Sequence, residues 1–196
     1  MRGILFKAFA VNILVAITVQ AENWPQFRGA KGDGVSSETS VPVQWDTTRN
    51  VAWKTTIPGE GHSSPVVWDK TVFLTTAAKD SGQRYVVRID ATTGKIVWQQ
   101  IVLRAPVESM HRENSAASST PVTDGTNIFT SFQNGPRADF QCYDFSGRKI
   151  WGIQPLSFKG MHGYSYTPVI YRDLVIYDMS QNDQSVVLAL DKRTGK

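Results

Sequence analysis

Apolar and polar side chains alternate in short runs along this chain, and the runs are bounded by Gly, Pro, Asp and Ser. Phe140-Gln141-Cys142-Tyr143 is one such run. A period of two sends successive side chains to opposite faces of a strand, so the pattern predicts half-buried β-strands. In the first complete set, strands are expected at residues 64–68, 71–77, 85–89 and 95–102. Asp69-Lys70 turns the first into the second, residues 79–83 form a polar loop, and residues 90–94 turn the third strand into the fourth. In that last turn Asp90 can accept a bond from a backbone N–H two residues on, and Gly94 can take the positive φ that closes it.

The set recurs. Arg88-Ile89-Asp90-Ala91-Thr92-Thr93-Gly94-Lys95-Ile96-Val97-Trp98 returns as Cys142-Tyr143-Asp144-Phe145-Ser146-Gly147-Arg148-Lys149-Ile150-Trp151, and Asp191 to Gly195 begins a third copy. Alternating with it are Ser64-Pro65-Val66, Thr120-Pro121-Val122 and Thr167-Pro168-Val169. The Asp residues are spaced by 54 and 47, the Pro residues by 56 and 47. Asp124-Gly125 is a strong hairpin turn, whereas Asp69-Lys70 and Arg172-Asp173 are weaker ones.

Four strands per unit and a period near fifty residues are the signature of a β-propeller blade. Solenoid repeats are shorter, at about 20–45 residues, and a sandwich does not repeat its sequence. The expected fold is all-β: a propeller of four-stranded blades, here an incomplete ring of about three to four. Trp53 reads as the outer strand of a further blade whose inner strands come from elsewhere. The sequence stops at Lys196 inside a repeat, so residues 22–196 read as the N-terminal part of a longer propeller, a fragment or a truncated gene model. Such an arc is expected to leave its end strands exposed.

Asp90, Thr93, Gly94 and Trp98 resemble the tryptophan-docking motif of the quinoprotein-like (PQQ-like) propellers. The opening Asn23-Trp24-Pro25-Gln26-Phe27-Arg28-Gly29 and Asp33-Gly34-Val35-Ser36 resemble an exported bacterial branch of those repeat proteins, as do Gly61-His62-Ser63-Ser64-Pro65 and His111-Arg112-Glu113-Asn114-Ser115. The superfamily contains PQQ-dependent alcohol dehydrogenases and the non-enzymatic barrel-assembly factor of bacterial outer membranes. The resemblance implies the fold and leaves two activities open. One is a non-catalytic binding or assembly scaffold. The other is a PQQ-dependent dehydrogenase, with the quinone in the central channel, Ca²⁺ beside it and a carboxylate as base. Many dehydrogenases of the family carry two adjacent cysteines over the quinone, and this chain has one cysteine. The scaffold is the favoured expectation, with no cofactor required.

Composition changes this picture mainly at the N-terminus. Arg2 and Lys7 precede an apolar run at residues 8–19, and Val19-Gln20-Ala21 places small residues before Glu22, the pattern of a signal peptide cut after residue 21. The run is shorter than the ~20 apolar residues a spanning helix needs, so no transmembrane anchor is expected after cleavage. Export to the periplasm or the extracellular space follows. Removing residues 1–21 leaves 19 basic and 17 acidic residues, so the net charge of +4 is partly the signal, and no nucleic-acid surface is expected. Cys142, lying in an alternating apolar run, reads as an inert core thiol.

Candidate chemistry is sparse. Trp98 and Trp151, with Asp90, Gly94, Asp144, Gly147, Asp191 and Gly195, recur at fixed repeat positions and are read as structural. His62, His111 and His162 are spaced by 49 and 51 residues, and each lies a few residues before the Pro of an inner strand. That places all three in loops on one face, near the channel mouth, where with Arg112 and Asn114 they could bind a protein or small-molecule ligand. No H-x-H or H-x₃-H spacing supports a metal, and none is expected. Thr93-Gly94-Lys95 lacks the upstream Gly of a phosphate loop, and Ser146-Gly147-Arg148-Lys149 sits in a repeated turn rather than a nucleophile's setting.

Overall fold

In the computed structural model, residues 21–160, 162–180 and 185–196 are described. The expected signal segment therefore lies outside the described residues except for Ala21. Three antiparallel sheets follow one another along the chain. The first orders β1 (Val66–Trp68), β2 (Thr71–Ala78), β3 (Gln83–Asp90) and β4 (Ile96–Arg104). The second orders β5 (Val122–Thr123), β6 (Asn127–Asn134), β7 (Arg137–Asp144) and β8 (Lys149–Ile153). The third has β9 (Val169–Tyr171), β10 (Leu174–Ser180) and β11 (Ser185–Asp191). β5 lies beside both β1 and β9, so the first strand of each sheet lines a common axis. This is an incomplete propeller, with no α-helix among the described residues.

Three details differ from the sequence expectation. Strand β1 begins at Val66 because Pro65 has no N–H to give a ladder. The polar loop is shorter than expected: Lys79–Ser81 makes one 3₁₀ turn and Gln83 already pairs with Ala78. Trp53 belongs to no strand among the described residues, because no backbone partner lies beside residues 51–57. The two weak hairpin turns carry backbone strain. Asp69 and Arg172 sit at φ 50° and 54°, a left-handed conformation that disfavours a side chain.

Alternation along the strands builds the core between sheets. One face of the first blade (Phe73, Ala77, Val86) packs on Ile128, Phe132 and Tyr143 of the second. The opposite face of the second (Phe129, Phe140, Cys142) packs on Val175, Tyr177 and Met179 of the third. Phe140 and Tyr177 stack there, with ring centroids 3.9 Å apart.

Tryptophans tie each blade to the next through one repeated geometry. Trp53 donates its indole N–H to Ala91 C=O at 2.8 Å, Trp98 to Phe145 C=O at 3.0 Å, and Trp151 to Lys192 C=O at 2.9 Å. Each acceptor is the residue after the turn Asp. Each ring also lies over the turn Gly: a Cβ on Gly94 would come within 2.6 Å of the Trp53 ring. Gly94 also has φ +70°, so shape and backbone both demand glycine there. The register of β3 against β4 shifts between Arg88 and Ile89, and that of β7 against β8 between Cys142 and Tyr143. These bulges leave Val97 and Ile150 unpaired just ahead of each Trp, and a bulge turns the following side chain.

Candidate functional site

The connections entering the inner strands are knitted together by hydroxyls. His62 N–H and Ser63 N–H both donate to Ala117 C=O at 3.1 Å, and Ser64 N–H donates to Thr120 Oγ1 at 3.0 Å. Ser119 Oγ donates to Tyr166 C=O at 2.7 Å, and Thr75 Oγ1 to Ser119 C=O at 3.0 Å. The short polar residues before each Pro thus carry hydrogen bonds from the first blade to the second and on to the third. Their side chains reach backbone groups that the strands leave unpaired.

On this frame the three histidines come together. The His62 ring lies 3.4 Å from Ser118 Oγ, and Ser118 hydrogen-bonds Asn114 Oδ1. Asn114 Nδ2 donates to His162 C=O at 2.5 Å, and the His111 and His162 rings meet edge to face at 5.4 Å. Asn114 is the hinge of the cluster, since its Oδ1 also accepts Ser115 N–H at 2.8 Å. The three histidines are exposed, so their rings face water. Arg112 joins the face differently: its Nε pairs with Glu113 at 3.0 Å, and both side chains are largely exposed. Such a surface pair contributes at most about 1 kcal/mol. A pocket of about 210 Å³ opens between His111, Arg112, Asn114, Glu60 and Lys79. That is below the roughly 300–1,000 Å³ of typical small-molecule sites, and Val107, Met110 and Ala116 share the wall with the polar groups.

Sequence reasoning missed the groups that hold this face. Arg84 is fully buried, donating to Gly82 C=O at 2.9 Å, to Ala105 C=O at 2.6 Å and to Glu108 Oε2 at 2.6 Å. Glu108 Oε1 accepts Gly135 N–H of the next blade at 2.5 Å. This buried pair fixes the start of the connection that carries His111 and Asn114. The signal was present: Arg84 falls on the same strand face as Val86, where the alternation calls for an apolar residue. Ser115 and Ser118 carried no comparable signal.

Among the described residues, those singled out as candidates do not fit a quinone with its metal. Cys142 is buried between blades, and burial first, then the charges of Asp124 and Asp144, pushes its thiol up to about 12. It cannot lie over a channel ligand. Trp53, Trp98 and Trp151 are spent on blade contacts. Among the described residues no three His, Cys, Asp or Glu side chains are grouped to hold a metal ion. Asp139, a buried carboxylate, is taken up by Gln141 and Gln154.

The family model described as outer membrane protein assembly factor BamB matches residues 34–135 and 82–196. The chain belongs to that family. Among solved structures, a europium-containing methanol dehydrogenase matches this BamB-family chain with a TM-score of 0.54 at 18% identity. The match covers 74% of this chain and 25% of that one, so the chain spans about a quarter of its length. At that identity the likeness shows the propeller fold alone. A search of curated proteins finds no match. No helix among the described residues is long and apolar enough to cross a membrane.

Proposed function

We propose that this BamB-family chain is the propeller part of a non-catalytic binding or assembly scaffold acting outside the cytoplasm, with the histidine-bearing face as its contact surface. The observation that carries this reading is how the polar groups are spent. Glu108 is consumed by Arg84 and Gly135 and Asp139 by Gln141 and Gln154, while Cys142 and Trp151 are buried, and Trp53 and Trp98 half-buried, in blade contacts. What remains exposed is a loop cluster of the His62, His111 and His162 rings joined through half-buried Asn114, beside a pocket smaller than typical small-molecule sites. A rim of that kind suits contact with another protein's surface better than enclosure of a substrate. The family's description as an assembly factor supports the same reading.

Two measurements test it. After incubation with PQQ and Ca²⁺, the protein should reduce no redox dye above a protein-free control; quinone-dependent turnover would favour the dehydrogenase instead. Protein recovered outside the cytoplasm should begin at Glu22 on N-terminal sequencing. An intact Met1 would refute export by a cleaved signal.

A further inference from the structure

The N-terminal segment is built into the axis of the propeller. Trp24 N–H donates to Val67 C=O at 2.9 Å and Val67 N–H returns a bond to Trp24 C=O at 2.8 Å, adding an antiparallel rung to the inner edge of β1. Pro25 C=O then accepts Thr123 N–H of β5 at 2.9 Å. Beyond that crossing the chain turns back on itself. Gly29 N–H donates to Gln26 C=O at 3.0 Å, and Gly34 N–H to Arg28 C=O at 2.8 Å. Gly29, at φ +79°, lies against the Trp24 indole, where a Cβ would come within 2.8 Å. Arg28 is itself left-handed at φ 64°, a conformation that persists only when its surroundings hold it.

This locked turn faces the third blade. Gln26, Phe27, Arg28 and Lys31 lie opposite Pro168 and Val169 at the entrance to β9, across a pocket of about 360 Å³. That volume falls within the roughly 300–1,000 Å³ range of small-molecule sites. Phe27 on the turn and Val169 opposite it give the pocket apolar surface and remain 51% and 48% exposed. The turn side is also cationic. Lys31 makes no ion pair among the described residues, and the Arg28 guanidinium gives a single bond to Asp33 C=O at 3.2 Å, leaving other donors uncommitted. Glu22, whose charge Lys31 feels, has its carboxylate taken up by the Ser36 hydroxyl at 2.6 Å and Ser37 N–H at 2.9 Å.

We propose that this axial pocket binds an amphipathic carboxylate, an apolar chain with one terminal carboxylate, at a site distinct from the histidine face. The carboxylate takes the free donors of Arg28 and Lys31, whose charges compensate it. The chain covers Phe27, Pro168 and Val169, and withdrawing that apolar surface from water supplies the remaining driving force.

Calorimetric titration of the full chain with octanoate tests this, with octanol and acetate as half-ligands. Octanoate should bind saturably, and each half-ligand at least about tenfold more weakly, since each lacks one set of contacts. Lys31→Gln and Arg28→Asn, the latter keeping a residue that tolerates the left-handed conformation, should each weaken octanoate about fivefold or more. His111→Ala should leave it unchanged, which separates this site from the proposed contact face. Equal binding of octanol and octanoate, unaltered affinity in both charge variants with their fold intact by circular dichroism, or no binding at millimolar octanoate would overturn the proposal.

Discussion

At the scale of single residues, the repeat is a contact between one indole and one turn. Trp151 is buried, so Trp151→Ala should cost about 3–5 kcal/mol, as large-to-small core changes do. Trp98 is only half-buried and should cost less. Trp151→Phe keeps most of the ring and loses one hydrogen bond, a cost of about 1 kcal/mol plus the lost area. Denaturation midpoints of the three variants should fall in that order, and an unchanged midpoint for Trp151→Ala would contradict the packing role. The turn aspartates add a pH signature. Asp144 is held down to about 2, first by the Ser146 hydroxyl and then by the Arg148 side chain. Asp90 and Asp191 are also lowered, chiefly by bonds from Thr93 and Thr194. The ionised form makes these bonds, so the stabilisation is complete above the unfolded value of about 3.9 and disappears as pH falls through the folded one. Thermal midpoints should therefore drop between about pH 4 and 2. Asp144→Asn should flatten that slope, because an amide oxygen still accepts but cannot titrate.

Single elements depend on groups that bridge them. The connection from β4 to β5 is long and irregular, and its first residues hang on Arg84 and Glu108. Glu108→Gln leaves a buried guanidinium without its counter-charge, a loss of about 3–5 kcal/mol for pairs of this kind. Hydrogen exchange should report it locally, through faster exchange at Gly135, whose N–H Glu108 holds. Exchange at Gly135 unchanged from the parent would show that the pair does not couple the blades. The sequence made the strands and Asp-to-Gly turns legible because period-two burial and turn chemistry are local and are repeated. Trp53 was harder to read. Its docking matches that of Trp98, but strand identity depends on a backbone partner that local sequence does not specify. The histidine cluster was legible as a shared face through spacing alone. The Ser118–Asn114 bridge that joins it depends on loop geometry without a repeat, and so left no trace in the pattern.

At the scale of the whole molecule, equivalent positions in the three blades meet different surroundings. Val86, Phe140 and Val187 occupy the same place on the same face of successive blades. Val86 and Phe140 are 0% exposed, each pressed against the following blade, whereas Val187 is 69% exposed. Strand register extends the contrast: Tyr171 pairs with Leu174 and Val169 with Ile176, so Val169, Tyr171, Leu174 and Val187 share that face. All four are exposed. Among the described residues, three strands present a largely apolar surface, interrupted by Asp178 opposite Val187, beside the unpaired outer edge of β11, and both features invite self-pairing. Arg172 over the Tyr171 ring, 5.1 Å from its centroid, covers only one corner. The 196-residue chain should therefore associate in solution, with a scattering mass that rises with protein concentration. Val187→Lys combined with Val169→Lys places two charges on the face and leaves the core between the second and third blades untouched. It should return the mass toward that of one chain without lowering the denaturation midpoint. A parent chain that stays monomeric at every concentration would mean that this face is covered by the chain itself in solution.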